Sequence, residues 1–152
     1  MLPINGLDVT FPNTCFFHAQ AATQSNVTGD GTTYTLTFGT EIADRGSDFS
    51  SPTFTAPVTG AYLLSIVLNF SGLTGSHTDT RVTLVTSNRS YNLMVDDVTS
   101  YAGISGAFIR KTFTVLADMD ASDTATVTLQ VSNGTKVVDI DTGSYFMGYL
   151  LG

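Results

Sequence analysis

A Pro/Gly turn at Pro57–Gly60 opens directly into the longest apolar run of the sequence, Ala61 to Phe70, and this run allows little choice of secondary structure. From Tyr62 onward the large residues fall on alternate positions, Tyr62, Leu64, Ile66, Leu68 and Phe70, the period-2 signature of a strand. Leu63 and Val67 make the second face apolar too, so neither face reads as freely solvated. A central strand with one face on a partner sheet and the other on a partner subunit satisfies the pattern. So does a strand whose second face is covered by a loop of its own chain.

The rest of the chain repeats the strand theme. Cys15 to Gln20 reads as a first strand, Gly29-Asp30-Gly31 as a turn needing positive φ, and Tyr34 to Phe38 as an alternating strand. Thr40 to Ser51 is polar and is expected to be irregular, and Gly72 to Asp79, which contains His77, to be a second polar loop. Arg81–Ser87 and Arg89–Val95 make a hairpin around Asn88, followed by a loop from Asp96 to Gly103. Further strands are read over Ala107–Leu116 and Thr124–Val131. Asn133-Gly134 is then the strongest short hairpin signal, with Lys136–Asp141 returning and Ser144–Leu151 as the last strand. About ten strands with no helical periodicity, repeat or linker predict one all-β domain of two antiparallel sheets, residues 15–152.

Residues 1–14 carry Pro3, Pro12 and Asn5-Gly6 and read as an arm without regular structure. Their apolar residues, Leu2, Ile4, Leu7, Val9 and Phe11, are too many for an idle tail, so the arm is expected to dock on its own domain, a neighbouring subunit or a larger assembly.

At 152 residues the chain is long enough to hold a core without staples. Its one cysteine, Cys15, leaves no intrachain disulfide framework and reads as a small buried hydrophobe. The net charge of −7 arises from only six Lys and Arg, so a nucleic-acid backbone would be repelled. No apolar run reaches the ~20 residues of a membrane span, and Met1–Gly6 shows no basic and apolar signal regions. No nucleic-acid partner, membrane insertion or secretory signal is therefore expected. The sequons at Asn26, Asn69, Asn88 and Asn133 follow from abundant Thr, Ser and Asn.

Catalytic chemistry finds little support. His18 lies within a strand beside Phe17 and reads as structural, while His77 in Ser76-His77-Thr78-Asp79 reads as a solvated loop residue. No Gly-x-Ser-x-Gly elbow is present. Carboxylates cluster at Asp96-Asp97, at Asp118, Asp120 and Asp123, and at Asp139 with Asp141, where solvated turns compete with a Ca2+ site or a glycosidase pair. No cofactor is expected beyond such a Ca2+. Tyr91 and Tyr101 could stack on a sugar or fill a subunit interface.

The order of motifs resembles the jelly-roll family of the complement globular head and tumour necrosis factor. The resemblance rests on Phe17-His18-Ala19, on the Phe-x-x-Pro-x-x-Gly-x-Tyr pattern from Phe54 to Tyr62, and on the closing Phe146-Met147-Gly148-Tyr149-Leu150-Leu151. It implies a ten-stranded jelly roll assembling as a compact homotrimer, with Tyr62, Leu64, Ile66, Leu68, Tyr145 and Tyr149 near the threefold axis. Two features depart from the family: Ala117-Asp118-Met119-Asp120 stands where a Gly-Asp turn is usual, and neither the collagen stalk nor the membrane anchor usual in animal members is expected here. Thr/Ser/Asn-rich strands with a single cysteine are most similar to the bacteriophage versions of the fold, in capsid decorations and fibre tips. The resemblance thus implies a non-enzymatic virion protein made in the bacterial cytoplasm. Its role would be capsid decoration, with the arm on the major capsid protein. The alternative is a tail-fibre head that binds a host surface glycan or protein through loops carrying His77, Tyr91 and Tyr101.

Overall fold

The computed structural model describes residues 15–98 and 108–151. These form thirteen strands in two antiparallel sheets stacked face to face, the two-sheet jelly roll expected from the sequence. The organising element is β7 (Gly60–Ser71), the longest strand. Along one edge it pairs over its full run with β10 (Ile109–Met119), from Met119 opposite Gly60 to Ile109 opposite Phe70. Along the other edge it pairs first with β13 (Tyr145–Leu150) and then with β12 (Val138–Ile140). Between those two partners Asn69 stands opposite no paired strand residue, although its carbonyl accepts from Asp141 N at 2.9 Å. The buried Ser144 hydroxyl takes that place, accepting from Asn69 N at 2.9 Å and donating to Asn69 O at 3.1 Å.

The sheet continues from β13 to β1 (Phe16–Gln20) and β4 (Thr40–Arg45), and from β12 to β2 (Gln24–Thr28). The second sheet runs β5 (Phe49–Ser50), β6 (Thr53–Thr55), β11 (Thr124–Ser132), β8 (Asp79–Thr86) and β9 (Ser90–Asp96), with β3 (Thr33–Thr35) also on β11.

Between the sheets lies one apolar core. Tyr62, Leu64, Ile66, Leu68 and Phe70 all point into it from β7 with no exposed surface. Phe17 stacks on Phe49 and Phe54 at centroid distances of 5.1 and 4.6 Å and meets Phe146 edge-on at 4.9 Å. Tyr62 satisfies its buried hydroxyl by donating to Val58 O at 2.6 Å, which clamps the 57–60 turn onto the strand it feeds. Gly148 sits between Leu64 and Phe17 in register, and a Cβ there would lie 2.5 Å from Leu64 Cδ2 and 2.7 Å from Phe17 Cε1. The glycine of the closing motif is thus the space that the aromatic stack occupies.

Three local expectations are corrected. Thr40–Ser51 is not irregular: β4 and β5 lie within it. As an exposed edge strand, β4 contributes backbone pairing to β1 rather than apolar side chains, and a bulge at His18/Ala19 shifts its register, so no alternation marks it. Asn133-Gly134 does not close a hairpin, because β11 belongs to one sheet and β12 to the other, and the chain crosses between the layers there. The strand read over Tyr34–Phe38 is only three residues long, after which Leu36 and Phe38 turn into the core. The hairpin around Asn88 is present, with Thr86 N bonded to Arg89 O at 2.9 Å.

Candidate assembly surface

Alternation along β7 has a direct consequence for the second face. If Tyr62, Leu64, Ile66 and Leu68 are sealed in the core, they cannot meet a partner subunit, and the expectation that they line a threefold axis is corrected. The half-buried Leu63, Ser65 and Val67 hold the outer face instead. Tyr145, half-buried, and Tyr149, 41% exposed, do lie on that face.

Register builds the surface. Directly opposed residues share a face of the sheet. One row therefore runs Leu116, Leu63, Tyr149, Phe16 across β10, β7, β13 and β1. The next runs Thr114, Ser65, Met147, His18, and a third Thr112, Val67, Tyr145, Gln20. These rows hold no carboxylate, lysine or arginine. Their polar groups are largely paired within the face: Ser65 and Thr114 hydroxyls lie 3.1 Å apart, and Gln20 Nε2 donates to Thr142 O at 2.6 Å. The His18 ring tilts against Tyr145 at 5.4 Å, so it belongs to this outer face and not to the core. Leu116 is 60% exposed. An uncharged sheet face that carries Leu116, Leu63, Tyr149 and Phe16 in one row is costly to leave in water. Charges stand only beyond the rows, Arg110 and Asp118 on β10 and Arg45 on β4.

The residues expected to carry ligand chemistry are placed elsewhere. His77 is fully buried, not solvated. Its Nδ1 accepts from Thr74 N at 2.8 Å, which leaves Nε2–H to donate to Thr135 O at 3.0 Å and fixes a neutral tautomer. The ring lies so close to the 29–31 and 133–135 turns that a Cβ on Gly134 would come within 2.3 Å of it. His77 is a tie between three connections, and a loop that must cross over the end of the sandwich folds inward to use it. Tyr91 lies on β9 and packs against the core instead of standing on a loop. Tyr101, the arm residues Leu2, Ile4, Leu7, Val9 and Phe11, and most of the 96–103 loop lie outside the described residues.

The acidic residues organise turns. Asp123 Oδ2 accepts from Asp120 N at 2.8 Å and from Asn88 Nδ2 at 2.6 Å. Asp139 Oδ1 takes Asn26 N at 2.6 Å, and Asp141 Oδ2 takes the Ser71 hydroxyl at 3.1 Å. Burial raises the Asp141 carboxyl above the usual range, the Ser71 bond opposing it and Asp139 adding to it. Burial likewise pushes the Cys15 thiol up to about 12, with Asp48 adding to the shift. Among the described residues no group of three or more His, Cys, Asp or Glu could hold a metal ion, and no helix is long and apolar enough to cross a membrane.

No family model and no curated protein matches the chain. Solved structures do. The globular domain of zebrafish complement 1qA matches with a TM-score of 0.63 at 14% identity, covering 92% of this chain and 98% of that one. Murine APRIL at pH 8.0 matches with a TM-score of 0.60 at 16% identity, over 91% of this chain and all of that one. APRIL at pH 8.5 gives 0.59 at the same identity and coverage. At such identities the likeness is one of fold, and it extends over nearly the whole chain.

Proposed function

We propose that this protein is a non-enzymatic structural subunit of a bacteriophage virion, acting as a homotrimer that decorates the capsid. The observation that carries self-association is the charge-free outer face of β10, β7, β13 and β1, because copies of one chain can bury such a face against each other without stranding a charge. The motif blocks around Phe54–Tyr62 and Phe146–Leu151, which resemble those of a family of trimeric heads, support three copies. Decoration would bridge neighbouring copies of the major capsid protein, with residues 1–14 as the docking arm, and lower the free energy of the closed shell. The receptor-binding alternative draws less support, because His77 and Tyr91 are committed to internal packing.

Light scattering after gel filtration is the first test. The wild-type protein should show about three times the 16.1 kDa chain mass, and Leu63→Asp, which puts a charge in the middle of the face, should reduce it to one. A wild-type monomer at micromolar concentration would sink the proposal. Immunogold labelling of the parent virion then separates decoration, with label over the capsid facets, from a fibre head, with label at the tail.

A further inference from the structure

Within the uncharged rows of the outer face, His18 is the one side chain that can become a cation. It stands half-buried on β1, opposite Met147 on β13 and Ala43 on β4, with Phe16 and Gln20 beside it on the same face. Its ring tilts against Tyr145 at 5.4 Å, and among the described residues no hydrogen bond holds either ring nitrogen. No anionic group faces it. On β13 the flanking titratable groups are Tyr145 and Tyr149, whose phenols stay neutral through the acid range. Across β7 and β10 the row continues as Ser65 and Thr114. On β4 the facing charge is Arg45, opposite Phe16, and it has the sign of a protonated histidine. The β4 carboxylates Asp44 and Glu41 stand opposite Phe17 and Ala19, which point into the core. Asp44 is also occupied, accepting from Asp48 N at 3.1 Å and Phe49 N at 3.0 Å.

We propose that protonation of His18 opens the self-assembled protein in acid, so that the outer face is a pH-governed contact between copies. The inference rests on the self-association proposed above. A neutral imidazole can be buried between two uncharged faces, whereas an imidazolium buried there has no counter-charge and is expelled with its water. The Tyr145 ring attracts the cation, but that contact exists in the separated subunit as well and cancels from the difference. The sign follows: the separated chain binds the proton better, so assembly holds while the ring is neutral and is lost as pH falls through the imidazole range of about pH 6.5. Each chain that takes up a proton on release contributes a factor of about ten per pH unit. For three chains the dissociation constant should rise by up to ~1000-fold per pH unit.

Sedimentation at one micromolar concentration, stepped from about pH 8 to about pH 5, tests this against His18→Gln, which keeps a polar side chain but cannot become charged. Wild type should lose the three-chain mass below about pH 6 while His18→Gln keeps it throughout. His18→Lys, charged at every pH in the range, should already be dissociated at about pH 8. The other histidine, His77, is present in all three proteins, so its titration cancels from the comparison. A wild-type trimer that persists unchanged to about pH 5, or an equal loss of mass in His18→Gln, would overturn the inference and leave the self-association reading standing. A wild-type monomer at about pH 8 would remove that reading, and this inference with it. Should the variants not fold, calorimetry on the wild type gives a second readout. Dilution of the assembly at about pH 6 should take up close to one proton per chain, read from how the heat varies with the buffer's ionisation enthalpy. No proton uptake would refute the switch.

Discussion

Replacing Gly148 by alanine adds one methyl group, and the surroundings of that methyl decide its effect. Gly148 does not need a positive φ, so alanine meets no backbone strain there. On conformational grounds alone the substitution would stabilise by ~0.4–1 kcal/mol, by narrowing the unfolded ensemble. Against this stand contacts of 2.5 Å to Leu64 Cδ2 and 2.7 Å to Phe17 Cε1, both well inside carbon–carbon contact distance. Neither neighbour can move freely. Phe17 is stacked against two rings and edge-on to a third, and Leu64 has no exposed surface. Overpacking of this kind costs ~1–3 kcal/mol and should outweigh the entropic gain. At fixed protein concentration, thermal unfolding should show Tm lowered by ~2–4 °C for each kcal/mol lost. Leu64→Ala alone should cost ~2–5 kcal/mol by opening a cavity, but it also removes the atom nearest the new methyl group. The double variant should therefore lose less than the sum of the two, with a coupling of ~1 kcal/mol or more. An unchanged or raised Tm in Gly148→Ala, or strict additivity in the cycle, would show that the close approach of β13 to the core is misread.

Other perturbations test other parts of the fold. His77→Ala should destabilise by ~2–4 kcal/mol in a denaturation titration, because it empties the site of a fully buried ring and removes the partners of the Thr74 amide and the Thr135 carbonyl; nitrogen NMR of the wild-type ring should show the proton on Nε2. Thr80 Oγ1 is a buried hydroxyl oxygen without a hydrogen-bond partner among the described residues, so Thr80→Val should be neutral or stabilise by up to ~1 kcal/mol, and a loss larger than that would reveal a missed partner. For Asp141, burial raises the folded carboxyl, so its stabilising contribution is present when the group is protonated and is lost as pH rises through the folded value. Asp141→Asn should accordingly be more stable than wild type near neutrality, with the advantage shrinking below about pH 4 in paired melts across pH.

Much of the architecture was legible where side chains face the core. The alternation from Tyr62 to Phe70 announced β7, and the Thr-with-Val/Leu alternation after Thr124 announced β11, because one face of each is buried against the opposite sheet. What stayed hidden follows the same rule. β4 is held by its backbone, and a strand held in that way leaves no apolar code. Asn133-Gly134 carries turn chemistry, with Asn133 at φ 72°, but local chemistry cannot tell a hairpin from a crossing between layers. Of the residues expected at a subunit interface, Tyr62, Leu64, Ile66 and Leu68 lie on the core face of β7, while Tyr145 and Tyr149 lie on the outer face of β13. An apolar run with two apolar faces does not say which face is inside, and only the placement of Phe17, Phe54 and Phe146 decides that Tyr62 and Leu64 belong to the core. His77 escaped because the polar sequence around it gives no hint that three turns converge on the ring.

The position of β13 between β7 and β1 also bears on how the chain emerges from the ribosome. β1 is made well before β13, yet until residues 145–150 exist its only sheet neighbour among the described strands is β4, and the edge of β7 that β13 occupies stays open. Pairings that span most of the chain close slowly, so the half-built sheet must wait with an apolar strand edge uncovered. β13 acts as a keystone: its arrival joins two fragments of sheet and fills the Phe17–Leu64 gap in one step, which makes completion of the core wait for residues 145–150.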